Sequence, residues 1–229
     1  NKLSKFIPMV GTAVGMIKPA NVTVIGTGVA GLQAVATAKR LGAVVTGIDI
    51  RPAAAEQAAS LGAKTIDTTV PAEVAIAPGG YANSLSEEWL VKEREAIKPN
   101  ILDADIVILS ALIPSKVAPI LITDEMLAAM KPGSCIIDIS IDQGGNCAGT
   151  VAGEVVEKHG IVIDGTKNIP GSVPTSSTWM FAHNIYNLIA YLANEGKITL
   201  DRNDEIVIGT LTTIDKEIVH AGAREMLGL

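Results

Sequence analysis

Aromatic residues are scarce in this 229-residue chain, at 3% of the sequence, so its core must be built from Ala, Val, Ile and Leu. Such a core suits buried parallel strands under small-residue helices and disfavours an all-β sandwich. Cysteine is limited to Cys135, inside an apolar run, and Cys147, after a Gly pair. No disulfide framework is expected from them, and a reducing cytosol is the default. Charged residues make up 18%, below the roughly 25% of an average domain. The net charge of −6 argues against nucleic acid or an anionic membrane surface as the main partner, since both reward clustered Lys and Arg, and it leaves local basic patches open. His159, His183 and His220 are isolated, so neither metal-ligand spacing nor a Ser/His/Asp arrangement arises and no metal is expected. Residues 19–38 lack charge over close to the ~20 residues a membrane span needs. They contain Pro19, Asn21, Gln33 and three Gly, however, and read as strand, turn and helix instead of a span.

What is present alternates. Residues 3–16 carry a helix-compatible apolar pattern ended by Lys18-Pro19, which predicts a connecting helix over residues 1–19. Residues 22–25 read as a buried strand, 29–41 as an Ala-rich helix closed by Gly42, and 44–48 as a second strand. Pro52 and Gly62 frame the next helix, and residues 63–66 are a third strand. Residues 67–84 spell a long loop rich in Thr, Pro, Gly and Asn, and connections this long are usually functional or disordered. Ser84-Leu-Ser-Glu87 has the capping-box pattern and opens a charged helix to about residue 97. Residues 106–109, 135–139 and 161–163 are further strands, with a helix capped by Thr123 and stopped by Lys131-Pro-Gly133. Strands alternating with helices predict an α/β fold with a doubly wound parallel sheet. Past residue 174 the pattern changes to a long helix over 178–194, an apolar run over 205–211 and a small final helix. Residues 175–229 are too few for an independent core, so they are expected to belong to a second, incomplete α/β domain.

The strongest chemical signal is Gly26-Thr-Gly28-Val-Ala-Gly31, set between a buried strand and an Ala-rich helix, with Asp49 ending the next strand. That context is the one a dinucleotide-binding fingerprint requires, and it makes residues 20–174 a Rossmann-type dinucleotide-binding domain. Gly26 permits the tight turn, Gly28 lets the backbone approach a pyrophosphate, and Gly31 lets helix and strand pack closely. The free N–H groups and dipole of the helix N-terminus attract phosphate. The alternative is a Gly-rich turn with no ligand. Asp49 can accept ribose hydroxyl hydrogen bonds and repel a 2′-phosphate, favouring NAD(H) over NADP(H). Arg51 can hold a 2′-phosphate, lie on the adenine face or be solvated. Ile139-Ser-Ile-Asp-Gln-Gly-Gly-Asn146 follows a parallel strand, which places Asp142, Gln143 and Asn146 near a nicotinamide. Equally, Gly144-Gly145 is only a turn with local Asp and Asn caps. Ala111-Leu-Ile-Pro114 follows a strand on the same edge and could wall the cofactor.

Phe6-Ile-Pro-Met-Val, the segment GTGVAGLQAVATAKRLGAVVTGIDIR, Gly79-Gly-Tyr-Ala, Ala111-Leu-Ile-Pro, Gln143-Gly-Gly-Asn-Cys and Asp204-Glu-Ile-Val-Ile-Gly-Thr-Leu-Thr together carry a resemblance over nearly the whole chain. It is to the NAD(H)-binding alpha subunits of proton-translocating NAD(P) transhydrogenases. The wider family contains alanine dehydrogenase, which Asp142-Gln-Gly-Gly and Asn168-Ile-Pro-Gly-Ser-Val-Pro-Thr-Ser-Ser-Thr178 resemble more. The resemblance implies that the turn containing Gly26, Thr27, Gly28, Val29, Ala30 and Gly31 holds the pyrophosphate, and that Asp49, Ile50 and Arg51 hold the adenosine side. Gly80 and Tyr81 would lie on a mobile loop closing over the nucleotide, and Leu112 would touch it. Glu93 stands where the transhydrogenase pattern has a nucleotide-contacting Gln. Asp142 would take part in catalysis only in an alanine dehydrogenase. The implied cofactors are NAD(H) here and NADP(H) on a partner subunit. The implied partners are membrane-embedded and NADP-binding subunits and a second copy in a homodimer. The implied place is cytoplasmic, peripheral to the inner membrane through those partners. The chain opens on Asn1 with no Met and no leader pattern, which predicts a trimmed fragment. The family's N-terminal stretch, half of a second Rossmann-like domain, has no counterpart in it. An alanine-dehydrogenase-like oxidoreductase and a non-catalytic NAD-sensing module are the alternative functions.

Overall fold

The computed structural model describes residues 3–77, 79–114, 116–194 and 196–229. The chain forms two units, one ending at Lys167 and the other beginning at Asn168. The first unit opens with a correction: its first apolar segment is not a connecting helix. It is a hairpin of β1 (Val10–Thr12) and β2 (Gly15–Ile17), paired antiparallel with Thr12 opposite Gly15. Gly15 takes φ +135°, a conformation no helix accommodates. Thr12 Oγ1 donates to the Gly15 carbonyl at 2.8 Å and accepts the Val14 N–H at 3.3 Å, closing the turn. Local turn chemistry outweighs an apolar spacing that has no helix cap behind it.

The alternation then begins with β3 (Asn21–Ile25), α1 (Val29–Arg40), β4 (Val44–Ile48), α2 (Pro52–Ser60) and β5 (Lys64–Thr65). The long loop contains a single helical turn, α3 (Ala72–Ala75), and a bridge from Ile76 to Ala82. Helix α4 (Glu87–Asp103) starts from Ser86, whose side chain makes no cap bond, and not from a Ser84 capping box. It runs on through Pro99, past the expected end. Pro99 lacks only the N–H that would reach the carbonyl of Glu95 on the exposed side, while Ile97 and Ile101 on either side are fully buried. The order continues with β6 (Ile106–Leu109), α5 (Asp124–Ala129), β7 (Cys135–Asp138), β8 (Val155–Lys158) and β9 (Ile161–Asp164). Thr123 caps α5 as the sequence predicts, its Oγ1 accepting the Met126 N–H at 3.3 Å.

These strands form one sheet in the order β5-β4-β3-β6-β7-β9-β8. All its pairings are parallel except that of β8 with β9 at the edge. The expected α/β doubly wound sheet is therefore present, with an antiparallel edge strand added. Strand order reverses between β3 and β6, which opens a crevice at their carboxyl ends. Ile25, Ile48, Leu109 and Ile136 pack one face of the sheet against Ile97 and Ile101 of α4 and Leu127 of α5. Val22, Val24 and Val45 pack the other against Val35 and Ala38 of α1. Each fully buried Ile or Leu contributes roughly 1.5–3 kcal/mol, so strand and helix ends beside the crevice are held firmly.

The second unit holds α6 (Pro174–Leu192), the hairpin β10 (Ala193–Asn194) and β11 (Lys197–Ile198), α7 (Glu205–Thr210), the hairpin β12 (Thr213–Ile214) and β13 (Glu217–Ile218), and α8 (Ala221–Leu227). Asp204 caps α7 by accepting the N–H groups of Ile206 and Val207. Among the described residues of this unit only Val207 is buried, and Trp179, Phe181 and Tyr186 of α6 are exposed. No helix among the described residues is long and apolar enough to cross a membrane.

Candidate functional site

Beyond β3 the chain turns into α1 through three glycines with different reasons for being there. Gly26 has φ +85°, and a Cβ on it would lie 2.6 Å from the backbone of Ser110 and Ala111. A Cβ on Gly31 would overlap the Gly26 carbonyl oxygen and lie 2.9 Å from its carbon. The polypeptide itself demands both. Gly28 has φ −71°, open to any residue, and a Cβ there would meet nothing within 4 Å. No contact within the protein explains it. The first donor of α1 to a helical carbonyl is the Leu32 N–H, 2.8 Å from the Gly28 oxygen. The N–H groups of Val29, Ala30 and Gly31 precede any helical acceptor and carry the positive end of the helix dipole.

Gly28, Val29 and Ala30 line a cleft of about 660 Å3 at the reversal point of the sheet, within the roughly 300–1,000 Å3 of small-molecule sites. Gly26 lies at its base, and Asp49, Ile50 and Arg51 enter from the end of β4. Tyr81, Glu93, Leu112 and Gln143 complete the set of expected residues found on the wall. The structure adds Asn83, Leu90, Ser110 and Val117, which sequence reading missed. Only Ser110 carried a usable signal, as the residue directly after a parallel strand.

Asp49 organises the end of the cleft beside β4. Its Oδ2 accepts the Thr27 N–H at 2.8 Å and the Arg51 Nη2–H at 2.9 Å, and its Oδ1 accepts Arg51 N–H at 2.9 Å and Nε–H at 3.0 Å. This two-pronged contact, on a carboxylate only 5% exposed, raises the guanidinium further above its ordinary value. Thr27 is fully buried, its hydroxyl donating to the Ala54 carbonyl at 3.0 Å. With its N–H given to Asp49, it positions the acid and does not face the cleft.

The far wall hangs on one amide. Asn146 is fully buried; its Nδ2 donates to the carbonyls of Ala111 at 2.9 Å and Pro119 at 2.8 Å, and its Oδ1 accepts the Ala111 N–H at 3.0 Å. Asn146 thus clamps residues 111–119 from behind and lies outside the cleft lining. Its own N–H is held by Asp138 Oδ2 at 2.9 Å. Asp142 is exposed on the short 3-10 turn that carries Gln143, outside the cleft. Gly31 sits behind the turn, and exposed Gly80, at φ +79°, shapes the loop that brings Tyr81 to the wall.

Glu93 departs from the solvated helix face expected for its neighbours. It is buried at 5% exposure on the cleft wall, where burial first and the Asp49 carboxylate second push it up to about 7, against the pull of Arg94. Glu87 and Glu88 of the same helix are exposed and paired with Arg94 and Lys92. The described residues contain no cluster of three or more His, Cys, Asp or Glu able to hold a metal ion.

The family model for the alanine dehydrogenase/PNT C-terminal domain matches residues 1–221. An NAD(P) transhydrogenase subunit alpha protein of Rhodospirillum rubrum is 46% identical over 222 residues, covering 96% of this chain and 58% of that protein. Alanine dehydrogenase of Bacillus subtilis is 31% identical over 212 residues, covering 90% and 50%. The crystal structure of transhydrogenase from Sinorhizobium meliloti matches with a TM-score of 0.76 at 40% identity, over 95% of this chain and 57% of that one. The chain therefore spans little more than half the length of these relatives. That family model spans residues 1–221, nearly the whole chain, and the chain is a member of the alanine dehydrogenase/PNT C-terminal domain family.

Proposed function

We propose that this chain binds NAD(H) in the cleft and serves as the NAD(H)-binding part of an NAD(P) transhydrogenase, passing hydride between NAD(H) and NADP(H) held by a partner subunit. The observation that carries the reading is Gly28. A residue with unstrained φ and open space at its Cβ position has no internal need to be glycine, whereas a pyrophosphate lying on the N-terminus of α1 requires one. The N–H groups of Val29 and Ala30 would hold the phosphates, and Asp49 would accept the adenosine ribose hydroxyls. Leu112, Ile113 and Pro114 would wall the nicotinamide and keep water from it. The bound nicotinamide supplies the hydride chemistry; the chain's task is to orient it. Exchange between two nicotinamides moves no substrate proton, so positioning suffices where an amine oxidation needs a base. Two observations support transhydrogenase over alanine dehydrogenase: the higher identity to its alpha subunits and the exposed place of Asp142 outside the cleft. The same reading supplies an NADP(H)-binding partner, a membrane-embedded partner and a second copy of this chain, with the assembly at the cytoplasmic side of the inner membrane.

Arg51 decides between the dinucleotides. A 2′-phosphate would have to draw the guanidinium off Asp49 and then lie beside that acid and Glu93. Calorimetric titration is therefore expected to show NADH binding at least about tenfold more tightly than NADPH. Gly28→Val should weaken NADH by about a hundredfold or more while leaving the urea midpoint in place. Tighter NADPH binding, no binding of either, or wild-type NADH affinity in G28V would each defeat the reading.

A further inference from the structure

A carboxyl group that is nearly buried on a cleft wall normally has a protein partner, because an unpaired one is costly. Glu93 has no hydrogen bond or ion pair among the described residues. Among the described residues no sealed polar side-chain atom is left without a partner, so the Glu93 oxygens open onto the cleft. The groups around it explain why it stays unpaired. Asp49, from the end of β4, already has Arg51 in a two-pronged grip. Arg94, on α4 itself, is turned to Glu87 at 2.6 Å and to the Ile120 carbonyl at 2.8 Å. Tyr81 completes the titratable groups of the wall, on the loop before α4.

We propose that Glu93 meets the adenosine side of the bound dinucleotide as a neutral carboxylic acid, giving its proton in a hydrogen bond to a ligand oxygen or nitrogen, so that the cleft takes up a proton together with its ligand. This deepens, and rests on, the NAD(H) reading above. A protonated carboxyl offers one donor and one acceptor on a planar head, the same pattern a Gln amide would offer at this position. An ionised Glu93 could only accept, beside an Asp49 that already does so, and would add negative charge next to a ligand that carries a pyrophosphate. Two neighbouring carboxyl groups resist ionising together; Arg51 grips the Asp49 carboxylate, and Glu93, held in no ion pair, is the one that keeps the proton. Glu93 stands near 7 in the free protein, and a ligand that accepts its proton in a hydrogen bond raises it further. Affinity is then full below that value and falls as pH rises through it, by up to about tenfold per pH unit.

The test is NADH titration of the full chain by calorimetry between about pH 6 and about pH 8.5, in buffers of different ionisation enthalpy. The expected result is flat affinity at the acid end, about a tenfold loss from pH 7.5 to 8.5, and uptake of about half a proton near pH 7. In E93Q the pH dependence disappears, whatever its absolute affinity. An infrared difference spectrum, which needs no variant, gains a protonated-carboxyl band when NADH is added at about pH 8. NADH binding that is independent of pH, without proton uptake, overturns the proposal and leaves the NAD(H) reading intact. A slope retained in E93Q overturns it equally. Absence of NADH binding at every pH removes the NAD(H) reading and this proposal with it.

Discussion

Gly31→Ala is expected to lower stability by about 3 kcal/mol, seen as a fall in the urea midpoint at unchanged m-value. The new methyl group would overlap the Gly26 carbonyl oxygen and crowd its carbon at 2.9 Å. Neither side can yield cheaply. The Gly26 N–H donates to the Ile48 carbonyl at 2.8 Å, and its carbonyl accepts the Ser110 hydroxyl at 2.7 Å, so this turn joins the ends of β3, β4 and β6. Helix α1 is equally fixed, with Val35 and Ala38 packed against Val22, Val24 and Val45. Overpacking typically costs about 1–3 kcal/mol, occasionally more, and a clash with backbone belongs at or above the top of that range. Alanine's better helix propensity returns only about 1 kcal/mol. A midpoint equal to the wild type's would overturn the expected clash between position 31 and the Gly26 carbonyl. Two positions of one short motif thus separate: an added side chain at 31 should strike the fold, whereas one at 28 should strike only the ligand.

That separation also marks how much of the site was legible beforehand. The roles of Gly26, Gly28 and Gly31 follow from the local order of strand, turn and helix, and local order survives in sequence. The strands themselves were legible because runs such as Val22-Thr-Val-Ile25 are bounded by Gly or Pro and have one reading at that length. Thr27 was different. Its place in the motif pointed to phosphate, yet its N–H is already committed to Asp49, a residue from the neighbouring strand that only the folded sheet brings near. Edge strand β8 stayed hidden because Val155-Val-Glu-Lys158 is short and half polar, and its pairing is with the next strand along rather than with any pattern of its own.

Glu93 and Asn146 show the same limit from opposite sides. In sequence Glu93 is one acid among the charged residues opening α4, and helical spacing does not say which of them turns inward. It faces the cleft because α4 also buries Ile97 and Ile101, one and two turns further along. Asn146 sits after a Gly pair that reads equally as a turn or as a ligand loop. Its amide is spent on Ala111 and Pro119, partners far away in the chain, so its role as a clamp has no sequence signature at all.

Asp138→Ala is expected to cost about 3–5 kcal/mol and to loosen the cleft wall as well. Asp138 ends β7 fully buried, and its Oδ2 accepts the N–H groups of Asn146 at 2.9 Å and Cys147 at 3.2 Å and the Thr150 hydroxyl at 2.9 Å. Its Oδ1 lies 2.6 Å from Ser140 Oγ, which also lies 2.7 Å from Asn146 Oδ1 and gives its proton to one of the two. Alanine would leave two backbone N–H groups buried without an acceptor, each costing about 1–3 kcal/mol, because neither is near water. Asp138→Asn tests the account from inside, since it keeps one oxygen for these donors and replaces the other with an NH2 group that must find an acceptor. Its loss should fall between wild type and D138A in urea unfolding. Because Asn146 hangs from Asp138 and residues 111–119 hang from Asn146, NADH affinity should fall in the same order where all three proteins remain folded. A loss in D138A below about 1 kcal/mol, or unchanged NADH affinity beside a large loss of stability, would show that the wall is held by packing and not by this chain of hydrogen bonds.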